Sequence, residues 1–257
     1  MIKKLTIIIP VYNEDKTIKA VMKKINSLQL IGDLDKEIVV VNDASTDNSL
    51  TEIKSYMQEF PDQPFSLIEV EVNKGKGAAI QSGLNNATGE YLIIQDADLE
   101  LDPEEINNLL EPALRNEADV VYGSRFLNNK NASSESGLHN MANRFLTGLS
   151  NLAFRTKITD METCYKLMPT KAIQNVRLIE NRFGFEPEIT AKLAKIKGVR
   201  FKEVAISYEA RTSEEGKKIG WTDGFRAIWC IIKYGWFSGT KKSFKDISKT
   251  NISDLKS

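Results

Sequence analysis

Leu5-Thr-Ile-Ile-Ile-Pro-Val-Tyr-Asn-Glu14 is an almost unbroken apolar run over residues 5–11 that breaks into a polar turn. A run without apolar–polar alternation is the pattern of a strand covered on both faces, as in a parallel sheet. Working outward, Ile18, Val21, Met22, Ile25 and Leu28 fall on one helical stripe. The unit then repeats. Residues 37–41 read as a second strand, and Leu50, Ile53, Met57 and Phe60 mark a second helix behind a Ser/Thr/Asp cluster that can cap it. Residues 65–72 read as a third strand, followed by a helical stripe of Ile80, Leu84 and Ala87 closed by Gly89. Residues 91–95 read as the fourth. Asp102-Pro-Glu-Glu105 then opens a helix with a capping acid, a first-turn proline and acids at the positive end of the dipole. Residues 119–123 read as a fifth strand. These β-α units predict an α/β fold, a mostly parallel sheet with helices on both faces.

The pattern changes after residue 125. Residues 128–137 are rich in Asn and Ser and read as a mobile loop. Phe145, Leu149 and Leu152 make a helical stripe, residues 165–168 a short strand, and Glu186-Pro187 the start of a helix carrying Ile189, Leu193 and Ile196. Residues 201–208 alternate as a half-buried strand, and residues 211–220 form a charged, glycine-bearing loop. Residues 222–237 form an amphipathic helix with Phe225, Ile228, Trp229, Ile232 and Trp236 along one stripe. That stripe either packs on the sheet or, flanked by Arg226 and Lys233, meets a membrane surface. The expected organisation is a single domain over residues 1–237 and a poorly ordered Lys/Ser-rich tail over residues 238–257.

Composition removes several function classes. Lys+Arg and Asp+Glu both number 35 in the 257 residues, so no general basic footprint for nucleic acid exists. The 2 cysteines, Cys164 and Cys230, lie too far apart for a short-spaced thiolate metal motif, and Cys164 reads as a small buried residue. His139 is the 1 histidine, which leaves little room for histidine-based catalysis or a multi-histidine metal site. No stretch approaches the roughly 20 apolar residues of a transmembrane helix, and Met1-Ile-Lys-Lys4 has no signal-peptide core. The expectation is a cytoplasmic protein, peripheral to the membrane at most.

Four polar turns follow four strand patterns: Pro10-Val-Tyr-Asn-Glu14, Asn42-Asp-Ala-Ser-Thr-Asp47, Asn73-Lys-Gly-Lys-Gly77 and Gln95-Asp-Ala-Asp-Leu-Glu100. In open α/β sheets ligands bind outside the carboxyl ends of the strands, where these turns would converge. Asp96 and Asp98 supply hard oxygen ligands on one short segment, suited to Mg²⁺ or Mn²⁺ holding a phosphate, provided the chain turns there. A calcium loop is excluded by Leu101 at its sixth position and Asn107 at its twelfth. Gly75-Lys-Gly77 matches neither the phosphate-loop nor the dinucleotide fingerprint, although Lys76 can meet a phosphate as a point charge. Asp43, after the second strand, can accept hydrogen bonds from a ribose or base.

Taken in order with Gly123-Ser-Arg125, these motifs resemble family 2 glycosyltransferases of the GT-A fold, within them the dolichol-phosphate mannosyltransferase and polyprenyl-phosphate glycosyltransferase branch. The resemblance covers about residues 5–237. It implies a metal-dependent, inverting transfer of a hexose from a nucleotide-sugar of UDP-glucose or GDP-mannose type to a polyprenyl or dolichyl lipid phosphate. It further implies that Pro10, Tyr12, Glu14 and Asp43 hold the nucleotide, with Lys76 beside them. Asp96 and Asp98 would bind the metal, with Glu100 as a third ligand where many relatives carry glutamine. Arg125 and Arg144 would contact acceptor phosphate, with Arg211 and Lys217 in a loop near the site, and Asp160 would act as base or position the acceptor. Glu186 and Glu188 precede a helix, the first a candidate to order the site and the second a partner for the helix dipole. Two alternatives remain open from the residues. One is transfer to a hydroxyl of a growing polysaccharide or lipid-linked glycan. The other is a nucleotidyltransferase, which would need a glycine-rich, arginine-containing loop where Pro10-Val-Tyr-Asn-Glu14 stands.

Overall fold

The structure, a computed structural model, describes residues 2–127, 137–209 and 221–256. The strands are β1 (Lys4–Val11), β2 (Asp35–Asn42), β3 (Phe65–Glu69), β4 (Tyr91–Ile94), β5 (Val120–Ser124), β6 (Lys166–Pro169) and β7 (Phe201–Ala205). The helices are α1 (Ile18–Ser27), α2 (Ser49–Glu59), α3 (Lys76–Leu84), α4 (Ile106–Leu114), α5 (Gly137–Phe154), α6 (Thr170–Asn175), α7 (Phe185–Leu193), α8 (Trp221–Trp236), α9 (Thr240–Ser243) and α10 (Ile252–Leu255).

The strands form one sheet in the order β3-β2-β1-β4-β6-β5-β7. β1 runs parallel to β2 and β4, β2 to β3, and β5 to β7, while β6 is antiparallel to both neighbours. The expected mostly parallel sheet is therefore present. Ile7, Ile8 and Ile9 point alternately to opposite faces and are all fully buried, so both faces of β1 are covered. The strand order reverses direction between β1 and β4, the place where an open α/β sheet leaves a crevice.

Three expectations change. The apolar stripe of α8 is not the buried one. Ala227, Cys230, Ile231 and Tyr234 pack inward, and Phe225, Trp229 and Trp236 face out. Likewise Phe145 and Leu152 of the α5 stripe are exposed, and Leu146, Thr147 and Ser150 lie inside. The segment read as a poorly ordered tail is docked. Phe244 is fully buried and bridges Val176, Asn251 bridges Lys197, and Asn175 clamps the backbone of Lys245, Asp246 and Lys249. Two apolar anchors, Phe244 and Leu255, together with one amide side chain outweigh the polar composition around them. The 211–220 loop and residues 128–136 of the expected 128–137 loop lie outside the described residues.

The second half buries charge in pairs. Lys192 and Glu188 of α7 are fully buried and meet at 2.5 Å, and Glu188 also accepts from the backbone of Ile179 and Glu180. Glu188, expected to serve the helix dipole, thus joins α7 to the preceding segment. Breaking a buried pair strands the remaining charge. Lys192→Met should lower unfolding free energy by about 3–5 kcal/mol, measured by urea titration. Adding Glu188→Gln should recover part of that loss.

Candidate functional site

The turns after β1 and β2 hold each other in place. Asn13 Oδ1 accepts from Thr46 N at 2.8 Å, and Ser45 Oγ accepts from Asn13 N at 3.1 Å. Ser49 Oγ accepts from Glu14 N at 2.8 Å, and Asp47 Oδ2 from Asp15 N at 3.1 Å. Asn13 and Ala44 both sit in the left-handed region at φ 55.

Asp43 organises a third turn. Its buried carboxylate accepts from Gly75 N at 2.8 Å, Lys74 N at 3.1 Å and Asn73 Nδ2 at 3.0 Å. It therefore shapes the 73–75 loop, a task the sequence did not show beside its expected contact with a nucleotide. The loop is also held from above. Gly75 has φ +99, and a Cβ there would come within 2.7 Å of Asn181 O; one on Gly77 would collide with Glu180 O. Both positions need glycine because the 180–182 backbone lies directly on them.

The turn after β4 brings the paired acids round. Tyr165 OH lies 2.5 Å from Gln95 Oε1 and 2.9 Å from Asp102 O, tying down both ends of the turn. Asp96, Asp98 and Glu100 consequently line one cleft of about 360 Å³ with Pro10, Tyr12, Glu14, Asp43 and Lys76. A cleft of that volume suits a small ligand with a few convergent polar groups. Lys76 Nζ pairs with Asp96 at 2.6 Å and contacts Cys164 Sγ at 3.3 Å. Burial pushes the Cys164 thiol well above its ordinary range, in keeping with a packing residue. Glu100 accepts from Tyr208 OH at 2.9 Å, and Asp98 accepts from Glu100 N at 3.2 Å.

Among the described residues no three acidic, cysteine or histidine side chains form a ready-made metal cluster. Asp96, Asp98 and Glu100, expected to bind the metal, all line the one cleft. Two carboxylates in one cleft suit a Mg²⁺ or Mn²⁺ ion that takes its other ligands from a substrate diphosphate and water.

Beyond Tyr208 lies a second centre. Arg125 donates to the fully buried Asp160 through Nε at 2.7 Å and Nη2 at 2.9 Å, and its backbone N donates at 3.1 Å. The guanidinium stacks 5.0 Å from the Tyr208 ring and 5.6 Å from that of Phe126. Arg144 of α5 stacks on the same Phe126 ring at 5.5 Å. Tyr208 therefore forms a wall common to the cleft and the Arg125 centre. Glu186 pairs with the fully buried Lys166 behind them, and burial raises its pKa. Glu162 stands close by. Burial, and then the nearby Glu186, pushes its carboxyl up to about 7, and its Oε1 has no hydrogen-bond partner among the described residues.

The structure thus gathers Pro10, Tyr12, Glu14, Asp43, Lys76, Asp96, Asp98 and Glu100 in one cleft. Arg125 and Asp160 form a neighbouring pair, with Arg144 at its edge. Arg211 and Lys217 lie outside the described residues. Sequence reasoning assigned no role to Asn73, Arg182, Phe183 and Tyr208, which also line the cleft. Asn73 and Phe183 stand inside motifs already noted, and Tyr208 inside the 206–211 stretch that resembles a loop near the site in the family; Arg182 carried no signal of its own. Glu162 was one letter within the Asp160 motif until its burial was visible.

Glu180 links α8 to this site. It accepts from Tyr234 OH at 2.6 Å, Arg226 Nη2 at 2.5 Å and Lys233 Nζ at 3.1 Å, immediately before the 181–182 segment that covers Gly75. Burial works against its charge, but these donors outweigh burial and hold its pKa down at about 2.

Comparison with known proteins agrees with this geometry. The model of glycosyl transferase family 2 matches residues 6–177. The chain is 25% identical over 234 residues to the dodecaprenyl-phosphate galacturonate synthase of Rhizobium johnstonii, covering 91% of this chain and 67% of that relative. It is 28% identical over 236 residues to the dolichol-phosphate mannosyltransferase of Pyrococcus furiosus, covering 90% and 64%. The chain thus spans about two thirds of the length of both. Among solved structures, glucosyl-3-phosphoglycerate synthase from Mycobacterium tuberculosis, bound to Mn²⁺, uridine diphosphate and glucosyl-3-phosphoglycerate, superposes with a TM-score of 0.68. That match covers 92% of this chain and 81% of the other at 16% identity, a likeness of fold that bears out the GT-A expectation.

The Glu180 cluster has a pH signature. A folded pKa of about 2 lies below the unfolded value of about 4.3, so the stabilisation is complete above the unfolded value and is lost as pH falls toward 2. Glu180→Gln should cost on the order of 1–2 kcal/mol at pH 7, allowing for the half-exposed Arg226. The gap to the native protein should close as pH falls from about 5 to about 2, followed by thermal melts across that range. Asp43→Ala should remove about 1–3 kcal/mol by stranding the 73–75 amides, read in the same melts at neutral pH.

Proposed function

The chain belongs to glycosyl transferase family 2, and we propose that it moves one hexose from a nucleotide-sugar to a polyprenyl-type lipid phosphate, with inversion at the anomeric carbon. The cleft over Asp96 and Asp98 is the donor site. Asp96 and Asp98 would hold a divalent cation there, which would supply Lewis-acid stabilisation of the departing diphosphate. Glu14, Asp43 and the 73–77 loop shape the nucleotide end, and Lys76 supplies a cation beside the diphosphate.

The observation that carries the acceptor assignment is the Arg125–Asp160 pair. A hydroxyl acceptor needs a base with a free oxygen, and both oxygens of Asp160 are engaged by Arg125. A phosphate monoester, with a second pKa of about 6, is already ionised near neutral pH and needs a cation instead. Arg125, oriented by Asp160 and separated from the donor cleft by Tyr208, fits that need. Asp160 then positions the arginine rather than taking a proton. The two relatives, a dodecaprenyl-phosphate galacturonate synthase and a dolichol-phosphate mannosyltransferase, support the same acceptor class. Such an enzyme would work at the cytoplasmic face of a membrane.

One observation favours the second reading, transfer to a hydroxyl. Glu162, with its pKa at about 7 and an unpartnered buried oxygen, has the character of a general base. The nucleotidyltransferase reading has no such support.

Thermal melts against UDP-, GDP- and CDP-sugars with Mn²⁺, Mg²⁺ or EDTA test the donor half. The matching sugar nucleotide at about 100 times Kd should stabilise the fold by about 2.7 kcal/mol, only with metal, and Asp98→Ala should abolish the effect. Full turnover by Asp98→Ala would defeat this reading. For the acceptor, Arg125→Ala should lower kcat/KM for prenyl phosphate on the order of a hundredfold while Glu162→Gln changes it little. The opposite ranking would establish the hydroxyl reading.

A further inference from the structure

The chain just before α7 lies over the 73–77 loop and contributes Arg182 and Phe183 to the cleft. Five carboxylates and two cations share the lining. Lys76, the first cation, is paired with Asp96 at 2.6 Å. Arg182, the second, is exposed and has no ion-pair or hydrogen-bond partner among the described residues. Its stem is nonetheless placed. A Cβ on Gly75 would come within 2.7 Å of Arg182 Cγ, so the side chain leaves the backbone across the loop that carries Lys76. The backbone beneath it is anchored on two sides. Asn181 O accepts from Ala78 N of α3 at 3.1 Å. The Glu180 carboxylate accepts from Tyr234 OH, Arg226 Nη2 and Lys233 Nζ, all on α8.

We propose that Arg182 grips the diphosphate of the donor and that Glu180, tied to α8, is the residue that positions it. The inference rests on the donor half of the reading above. A divalent cation offsets only part of the charge of five carboxylates, and a bound diphosphate adds further negative charge to the same cleft. Lys76 meets that charge with an ammonium it already shares with Asp96. Arg182 brings a guanidinium that no acid of the cleft holds, and its planar fork can donate to two phosphate oxygens at once. The contact with Gly75 sets it on the same loop as Lys76, where the diphosphate is placed. Glu180 acts one step further out. It lies two residues before Arg182, and its bonds to α8 fix the backbone from which the arginine extends. α8 therefore bears on donor affinity without itself lining the cleft.

Titration calorimetry with UDP, GDP and CDP in Mn²⁺ tests the proposal, at low salt, where an exposed arginine acts most strongly. The matching nucleosides, uridine, guanosine and cytidine, serve as phosphate-free controls by saturation-transfer NMR. For the nucleotide that the native protein binds, Arg182→Ala should weaken the diphosphate about tenfold and leave the nucleoside unchanged. Its melting temperature should stay native, because the side chain is exposed and unpaired. Arg182→Lys should recover part of the loss. Glu180→Ala should weaken the diphosphate too, and adding it to Arg182→Ala should cost nothing more, since it acts through the arginine. A Glu180→Ala variant with a lowered melting temperature and a native diphosphate Kd would overturn the positioning role. Unchanged diphosphate binding by Arg182→Ala would overturn the contact, and an equal loss for the nucleoside would move it to the base or ribose. A native protein that binds none of the three diphosphates would instead defeat the donor-site reading, and the inference with it.

Discussion

An ion moved out of water must be met by a counter-ion or by hydrogen bonds, because its desolvation costs several kcal/mol. The second half of this molecule is arranged around that constraint. Asp160 is met by Arg125, Glu186 by Lys166, Glu188 by Lys192, and Glu180 by Arg226 and Lys233. Arg125–Asp160 ties the end of β5 to the segment before β6, Lys166–Glu186 ties β6 to α7, and the Glu180 cluster ties α8 to the cleft wall, while the pair within α7 holds the preceding chain through the amides that donate to Glu188. Glu162 departs from the rule. With an unpartnered oxygen it sits near neutrality in its titration, where the paired Glu180 remains ionised far below it.

The first half of the fold was readable because its signals are local. A continuous apolar run such as Ile7-Ile-Ile9 can be satisfied only by cover on both faces, and a capped start such as Asp102-Pro103 marks its own helix. The cleft was readable for a related reason. Strand ends in a parallel sheet converge by topology, so polar turns after β1, β2 and β4 must meet whatever their individual meaning.

What was not readable depends on long-range partners. Periodicity located the stripes on α5 and α8, but their helical phase does not say which side the sheet will cover, and both turned outward. Composition around residues 238–257 is polar, yet Phe244 finds a fully buried position beside Val176, a contact between residues 68 positions apart in the chain. Asp43 could be placed at a strand end from sequence. Its engagement with three groups of the 73–75 loop could not, because the loop's return to Asp43 is set by tertiary packing against residues 180–182. The same holds for Asp160, expected as a base or to position the acceptor: that both its oxygens accept from Arg125 was not written in the sequence.

The left-handed backbones of Asn13 and Ala44 have a consequence for how the cleft behaves. Asn13 adopts this region readily, whereas for Ala44 it costs about 1 kcal/mol or more relative to the right-handed region. The cross-bonds from Asn13 to Ser45 and Thr46, and from Asp15 to Asp47, hold the two turns against each other. The two turns therefore behave as one sprung unit. Releasing one lets the other relax, so the nucleotide end of the cleft forms or dissolves cooperatively rather than loop by loop.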